Sequence, residues 1–383
     1  MTNNSISDLE PSIYFIIAGE ESADNHGATL MKAMLSLNPN LKFSGIGGNK
    51  MISAGLVSIE NIEKLAVMGF LEVIKHLVFF HNLTKRILVE IDICKPQQII
   101  LIDYPGFNLR LAKKIKKQFN IPITYYISPQ IWAWKEKRIE IIRKYVDQML
   151  VIFPFEENWY KKRGIEAKFV GHPIFDEWMP TSKDNLCDEL TLKLNTPVVT
   201  LYPGSREQEV NRHLPILLQV AYKLRAENMD IQFILGVAKY INFENWDVPE
   251  WIYVEKQYPQ KALECADLAL VASGTSTVEA AVFGTPMIII YKMSLLSWWL
   301  SKKLVKVPYV GMVNIIAGSM IMPEILQAEA TASKIYKIAQ EIIGSSKKMI
   351  QMKSDLSNIN NLLKGRENMQ SAAKYILDMS DQT

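Results

Sequence analysis

Cysteine is scarce in this chain: three residues in 383, at Cys94, Cys187 and Cys265. Their wide spacing fits no zinc pattern and no disulfide framework, which excludes a disulfide-stapled scaffold and makes a reducing cytosol the expected compartment. Long apolar runs are also missing. None reaches the roughly 18–20 residues needed to span a bilayer. The first residues, MTNNSISDLEPS, are polar and lack the basic-then-apolar profile of a signal peptide. A strong charge of one sign is absent, because the formal net charge is +3. Residues 1–172 carry 22 Lys and Arg against 17 Asp and Glu, a mild excess that favours anionic lipid or phosphate partners. It is too weak, and too lacking in a recognisable motif, to argue for nucleic acid. No short repeat or low-complexity tract is found.

What is present is an ordinary globular composition, 49% hydrophobic and 22% charged, in a chain long enough for two domains. Strand-like apolar runs alternate with helical patterns. Ile13–Ala18 precedes a helix expected over Asp24–Leu37, and Ile99–Ile102 ends at Asp103. Ile123–Ile127 and Met149–Phe153 follow, with helices between. After Gly171-His172-Pro173 and a polar stretch the alternation restarts with Val198–Tyr202, Ile231–Leu235, Leu268–Ala272 and Met287–Tyr291. Such alternation implies doubly wound parallel sheets. Two Rossmann-like domains facing across a cleft are expected, 1–172 and 173–354, with a C-terminal helix at about 355–383 packing back on the first. The long polar helical pattern from Thr331 to Met379 could alternatively exchange with a second chain, as in a homodimer.

Two turns carry chemistry. Ser273 to Ile288 reads SGTSTVEAAVFGTPMI: strand, turn, helix, strand. Backbone N–H groups at a helix start attract phosphate, and Ser273, Gly274 and Thr275 suit that turn. Glu279, less than two turns into the helix, can accept hydrogen bonds from a ribose diol. Pro203-Gly204-Ser205-Arg206 again follows a strand and precedes a helix. Gly204 and Ser205 let the backbone approach, and the Arg206 guanidinium matches phosphate oxygens. Together they suit a nucleoside diphosphate, here attached to a sugar. Helix capping and surface ion pairs are the bland alternatives. An oxidoreductase would show Gly-x-Gly-x-x-Gly after the first strand, which GEESADNHG does not match. Gly45-Ile46-Gly47-Gly48-Asn49-Lys50 resembles half of that fingerprint and is read as a turn near ligand.

Several segments occur in the order found in the lipid-A-disaccharide synthase family: GEESADNHG, KLAVMGFLEV, IDYPGFN, YYISPQIWAWKEKRI, FVGHPIFD, PGSREQEV, SGTSTVEAAVFGTPMII and VNIIAG. The resemblance runs from about Ile13 to Gly318, and SPQIWAW with KEKR is its most specific part. It implies the glycosyltransferase B fold. It also implies transfer of 2,3-diacylglucosamine from UDP-2,3-diacylglucosamine to 2,3-diacylglucosamine 1-phosphate, giving a β-1,6 disaccharide and UDP in lipid A biosynthesis. It implies no cofactor and no metal, in keeping with the lack of an Asp-x-Asp pair in strand context. It places the protein in the cytoplasm, peripherally on the inner membrane. The chain departs from the family where GETSGD is usual and Gly19-Glu20-Glu21-Ser22-Ala23-Asp24 stands, and where a second acid is usual and Gly106 stands. A UDP-sugar epimerase of the same fold is the competing reading, and a non-catalytic nucleotide-sugar or lipid binder a third.

Inverting transfer needs a base for the acceptor hydroxyl, donors or cations for the departing diphosphate, and alignment of both substrates. Asp103, at a strand end, is the first candidate for the base, and Glu20, at another strand end, the second. His172 reads as a structural histidine. Asn314 matches a family site residue and could position the diphosphate or donor sugar; otherwise it caps a helix. Acylated substrates call for a membrane-facing surface. Val67, Met68 and Phe70 in AVMGFLEVIKHLVFF, and Trp298 and Trp299 in SWWLSKKLVK, suit a bilayer interface, core packing being the alternative. Trp132 and Trp134 either line an acyl or acceptor pocket or are structural.

Overall fold

The structure is a computed structural model that describes residues 12–62, 73–227, 230–238, 241–242, 246–294, 298–299, 307–365 and 369–380. The chain divides into two compact units: residues up to Glu177 with those from Leu363 onward, and Trp178–Leu362. Each is built on one wholly parallel sheet.

The strands of the first unit are β1 (Ile13–Ala18), β2 (Lys42–Gly47), β3 (Leu56–Asn61), β4 (Gln98–Ile102), β5 (Ile123–Tyr126), β6 (Gln148–Val151) and β7 (Ala167–Phe169). Their order is β3-β2-β1-β4-β5-β6-β7. The helices are α1 (Glu21–Leu37), α2 (Asn49–Ser53), α3 (Val73–Cys94), α4 (Pro105–Gln118), α5 (Ile139–Tyr145), α6 (Pro154–Lys161) and α7 (Ile174–Glu177). Strand β4 reads QIILI and is buried throughout. A strand covered by helices on both faces carries such an unbroken run, because neither face can be polar. Here Ile99, Leu101, Phe107, Leu111 and Ile115 meet in one core with Leu83, Ile87 and Ile91 of α3.

The second unit holds α8 (Lys183–Glu189), β8 (Val198–Tyr202), α9 (Glu207–Ala226), β9 (Gln232–Gly236), β10 (Ile252–Glu255), α10 (Pro259–Glu264), β11 (Leu268–Ala272) and α11 (Ser276–Val282). It continues with β12 (Met287–Tyr291), α12 (Met312–Ala317), β13 (Glu324–Leu326) and α13 (Ala332–Ile343). Its strand order is β10-β9-β8-β11-β12-β13. Helix α14 (Ser346–Lys364) carries the chain back to the first unit, where α15 (Met369–Ser380) packs on α1. There the Tyr14 hydroxyl donates to Ser380 Oγ at 2.9 Å, and Ser380 donates to Gln98 Oε1 at 2.6 Å. The continuous helical pattern read from Thr331 to Met379 is three helices, interrupted at Gly344 and Gly365.

In an open parallel sheet, ligands bind beyond the carboxyl ends of the strands, where the strand order reverses. The first sheet reverses between β1 and β4, with Ala18 opposite Ile102. The second reverses between β8 and β11, with Tyr202 opposite Val271. The next residues out of these strands are the ones the sequence singles out.

Candidate active site

At the first switch point, Glu20 leaves β1 exposed at the start of α1, and Asp103 leaves β4 half-buried. Asp103 and Tyr104 both take left-handed backbone angles, φ 44° and 47°. Two such residues in succession, neither of them glycine, cost on the order of 1–3 kcal/mol each unless their surroundings hold them. The surroundings do. Asn108, fully buried in the first turns of α4, donates to Ile102 O at 3.1 Å and to Asp103 O at 2.8 Å. The Tyr125 hydroxyl donates to Asp103 O at 2.5 Å, and the Asp103 N–H donates to Tyr126 O at 3.1 Å. The backbone of Asp103 is thus fixed from three sides.

Burial, reinforced by the nearby charge of Glu20, pushes the Asp103 carboxyl up to about 7; a backbone hydrogen bond and His26 pull it partly back. A carboxyl with that value is a serviceable base at neutral pH. His26 itself lies on α1, with Nδ1 2.7 Å from Glu177 Oε1. His172 is half-buried in the Gly171–Pro173 stretch, and desolvation lowers its ring to about 3. Its Nδ1 accepts the Ile174 N–H at 3.3 Å.

The SPQIWAW segment folds over a second buried acid. Glu156 Oε1 accepts from Ser128 Oγ at 2.6 Å and from Trp132 Nε1 at 2.9 Å, while Oε2 accepts the Phe153 N–H at 3.1 Å. Burial raises this carboxyl to about 7 against those donors. Trp132 is therefore a structural tryptophan, whereas Trp134 is 43% exposed with Lys135 Nζ 4.2 Å from its ring centre.

Gly45-Ile46-Gly47 belongs to β2 and not to a turn. The helix start that follows it is already occupied. Asp24 accepts from the N–H groups of Gly48 (2.7 Å), Met51 (3.0 Å) and Lys50 (3.1 Å). A protein carboxylate fills the place a phosphate would take.

At the second switch point, Gly204 has φ 122°, and a Cβ there would stand 2.7 Å from Glu209 Oε2. Glu209 folds back beneath the turn, accepting the Ser205 N–H at 3.3 Å and lying 3.4 Å from Arg206 Nη1. Arg206 is 81% exposed, open to a ligand. His213, fully buried on α9, staples this turn: its Nδ1 donates to Pro203 O at 2.8 Å and its Nε2 accepts the Lys292 N–H at 2.9 Å. A small hollow beside Gly204 is lined by Leu235, Val237, Ile241 and Trp246 among others.

After β11, Gly274 and Thr275 lie exposed. Ser273 is committed inward, its N–H to Ile290 O at 3.0 Å and its hydroxyl to Val310 O at 2.8 Å. Glu279 is half-buried, near enough to Tyr202 that its charge adds to burial in raising that phenol. Asn314 is fully buried, and its amide is fully used. It donates to Met322 O and Glu324 Oε1, both at 2.8 Å, and accepts the N–H groups of Ile321 and Met322, both at 2.9 Å. It shapes the 310–322 segment and presents no open group.

Val67, Met68 and Phe70 lie outside the described residues. Trp298 is half-buried and Trp299 is 56% exposed. Among the described residues no helix is long and apolar enough to cross a membrane, and no three His, Cys, Asp or Glu side chains are grouped to hold a metal ion.

The family model described as lipid-A-disaccharide synthetase matches residues 14–378. Lipid-A-disaccharide synthase 1 of Legionella pneumophila (strain Paris) is 42% identical over 324 residues, 82% of this chain and 83% of the relative. Lipid-A-disaccharide synthase of Coxiella burnetii (strain CbuK_Q154) is 40% identical over 324 residues, 84% and 86% of the two chains. Solved structures resemble this one at far lower identity. The glycotransferase of kitacinnamycin gives a TM-score of 0.67 at 12% identity, covering 96% of this chain and 99% of its own. A putative UDP-N-acetylglucosamine 2-epimerase from Listeria monocytogenes gives 0.64 at 9%, covering 96% and 95%. These neighbours show the fold alone, the two-domain glycosyltransferase B architecture, which a transferase and an epimerase share. The match along nearly the whole length separates the two readings: the chain belongs to the lipid-A-disaccharide synthase family.

Proposed function

We propose that the protein transfers 2,3-diacylglucosamine from UDP-2,3-diacylglucosamine to 2,3-diacylglucosamine 1-phosphate, with inversion, making the β-1,6 lipid A disaccharide 1-phosphate and UDP. Family membership supports the reaction. The observation that carries the division of labour is the chemistry at each switch point: acids leave the first sheet, and glycine, hydroxyl and arginine turns leave the second. The first unit accordingly takes the acceptor and the second the UDP-sugar.

In this reading the acceptor 6-hydroxyl loses its proton to the Asp103 carboxylate as its oxygen bonds to the anomeric carbon. The bond from that carbon to the diphosphate breaks, and UDP departs with the electron pair. Glu20 is the second candidate. Arg206 holds the diphosphate, with Gly204 and Ser205 letting the backbone approach, aided by Gly274 and Thr275, and Glu279 holds the ribose. Ser273 and Asn314 serve this site by fixing its turns. Trp298 and Trp299, with Val67, Met68 and Phe70, contact the membrane that carries the acylated substrates.

The test is an assay of the purified protein with UDP-2,3-diacylglucosamine, with and without the monosaccharide phosphate. Disaccharide plus UDP, formed only with acceptor, is the expected result. A changed sugar without acceptor would instead mean epimerisation, and binding without turnover a carrier.

A further inference from the structure

The loop that follows β5 carries a cluster of cations around an aromatic ring that the transfer described above leaves unused. The loop begins beside the candidate base. Tyr126, the last residue of β5, lies opposite Ile102, and its carbonyl accepts the Asp103 N–H at 3.1 Å. Ile127, the next residue, is buried and takes a left-handed backbone, φ 63°. A β-branched residue rarely adopts that region, so the chain turns there under strain that its surroundings hold. The first half of the loop is fixed inward. Ser128 and Trp132 both donate to buried Glu156, and the Trp132 ring meets Phe155 edge-on, with centres 5.0 Å apart. The second half faces solvent. Trp134 is exposed, with Lys135 Nζ 4.2 Å and Arg138 Cζ 6.0 Å from its ring centre. The face of an indole attracts cations at such distances, so Trp134 gathers an ammonium and a guanidinium beside one ring.

Two cations held together repel, and an acid between them would relieve the repulsion. Here the intervening acid is drawn off. Glu136 Oε1 accepts from Arg163 Nε at 2.9 Å and from Nη2 at 2.6 Å. That guanidinium in turn lies 3.8 Å from the centre of the Trp159 ring. The next acid, Glu140, pairs with Arg143. Among the described residues no acid pairs with Lys135 or Arg138. Lys135 is exposed and Arg138 half-buried, so an anion from solvent can reach both. A planar guanidinium fork with an ammonium beside it suits the oxygens of a phosphate monoester.

Resting on the transferase reading given above, we propose that Lys135 and Arg138, gathered by Trp134, bind the 1-phosphate of the acceptor sugar and so set acceptor specificity. Both substrates carry the same diacylated glucosamine, and the phosphate monoester is what marks the acceptor. It sits across one sugar ring from the 6-hydroxyl that gives its proton to Asp103. The loop after β5 leaves the same sheet edge as that base, from the neighbouring strand. The cluster holds the phosphate and gives up no atom in the transfer step.

The experiment compares kcat/KM for 2,3-diacylglucosamine 1-phosphate with that for phosphate-free 2,3-diacylglucosamine, at saturating UDP-2,3-diacylglucosamine. The proteins are the parent, Lys135→Asn, Arg138→Gln, the double variant and Arg138→Lys. Asparagine suits the left-handed backbone of residue 135, φ 57°, so the charge is lost without added strain. The parent should prefer the phosphorylated acceptor by about a hundredfold or more. Each lost cation should cut that preference about tenfold, through the acceptor KM, with the donor KM within about twofold. Arg138→Lys, which keeps the charge, should hold the preference within a few-fold. Damage to the fold or to the base slows both acceptors alike and leaves the preference intact. A parent indifferent to the phosphate, or a double variant with the parent's preference, overturns the proposal.

Sedimentation with phosphatidylglycerol vesicles separates a substrate phosphate from a lipid headgroup. The double variant should sediment as the parent does. Lost sedimentation with the parent's preference would assign the cluster to headgroups and overturn the subsite. A parent that makes no disaccharide overturns the transferase reading instead. Titration of glucosamine 1-phosphate against indole fluorescence then still decides whether the cluster holds a phosphate. A signal that Trp134→Phe abolishes and the double variant weakens about a hundredfold supports it, and no such signal overturns it.

Discussion

The turn after β4 and the turns after β8 and β11 occupy equivalent places in two sheets of the same design, yet they are built in opposite ways. The first is acidic, half-buried and bent into a left-handed backbone that Asn108 and Tyr125 hold. The others rely on glycine and present exposed groups: Arg206, Gly274 and Thr275. Glu209 and His213 support the turn after β8, and the turn after β11 leans, through Ser273 and Val310 O, on the segment that Asn314 holds. An acid that must move a proton gains from a partly dry, rigid setting, because burial lifts its pKa toward neutrality. A surface that must capture a charged nucleotide gains from open N–H groups and a mobile cation. The fold repeats, and the turn chemistry sets the task.

Removing a support should do more harm than removing a ligand-facing group. Asn314→Ala removes four hydrogen bonds but strands two groups, the N–H and carbonyl of Met322. The Ile321 N–H keeps Ser319 O, and Glu324 Oε1 keeps the Gly311 N–H. Each stranded group costs about 1–3 kcal/mol. Denaturant unfolding should show a loss of about 2–6 kcal/mol, and a loss under about 1 kcal/mol would mean the segment re-pairs easily. Next comes Glu156. Its carboxyl, like that of Asp103, is raised to about 7, so both groups favour the folded state at low pH and lose that contribution as pH rises from about 4.5 through 7. The buried Glu156 shift corresponds to about 3 kcal/mol at most. Glu156→Gln should flatten the fall in stability over that window, leaving the part due to Asp103. An unchanged slope would show that Glu156 is ionised and well solvated when folded.

Glu279→Ala should weaken UDP binding by about 1.5–3 kcal/mol, the worth of a charge-assisted hydrogen bond, with the melting curve unchanged. Calorimetric titration measures it, and equal affinity would remove Glu279 from the site. The smallest effect is expected for Trp299→Ser. Its side chain is 56% exposed, so stability should change by less than about 0.5 kcal/mol while sedimentation with anionic vesicles falls. Undiminished sedimentation would leave Trp299 out of the membrane surface.

Much of this was legible in sequence wherever a buried strand ran straight into a functional turn. Leu268–Ala272 and Val198–Tyr202 match β11 and β8 residue for residue, and Asp103 stands directly after β4. Strand β2 was hidden by its glycines. A Cβ on Gly45 would come 2.0 Å from Ile16 O, so the neighbouring strand demands glycine where composition suggests a turn. The supports were illegible for a different reason. His26 meets Glu177, Trp132 meets Glu156, and His213 meets Lys292 across long chain separations, which no local spacing records. Asn314 was found as a residue type, but its inward commitment is a tertiary fact.

The most direct test of the central claim is to measure Asp103→Asn for turnover and UDP affinity on the same sample. General-base catalysis typically contributes about 10²–10⁴-fold. The account predicts a fall of that size in kcat, loss of the acidic limb of the pH profile, and UDP affinity equal to that of the parent. Turnover within a few-fold of the parent, or a weakened UDP complex, would contradict it.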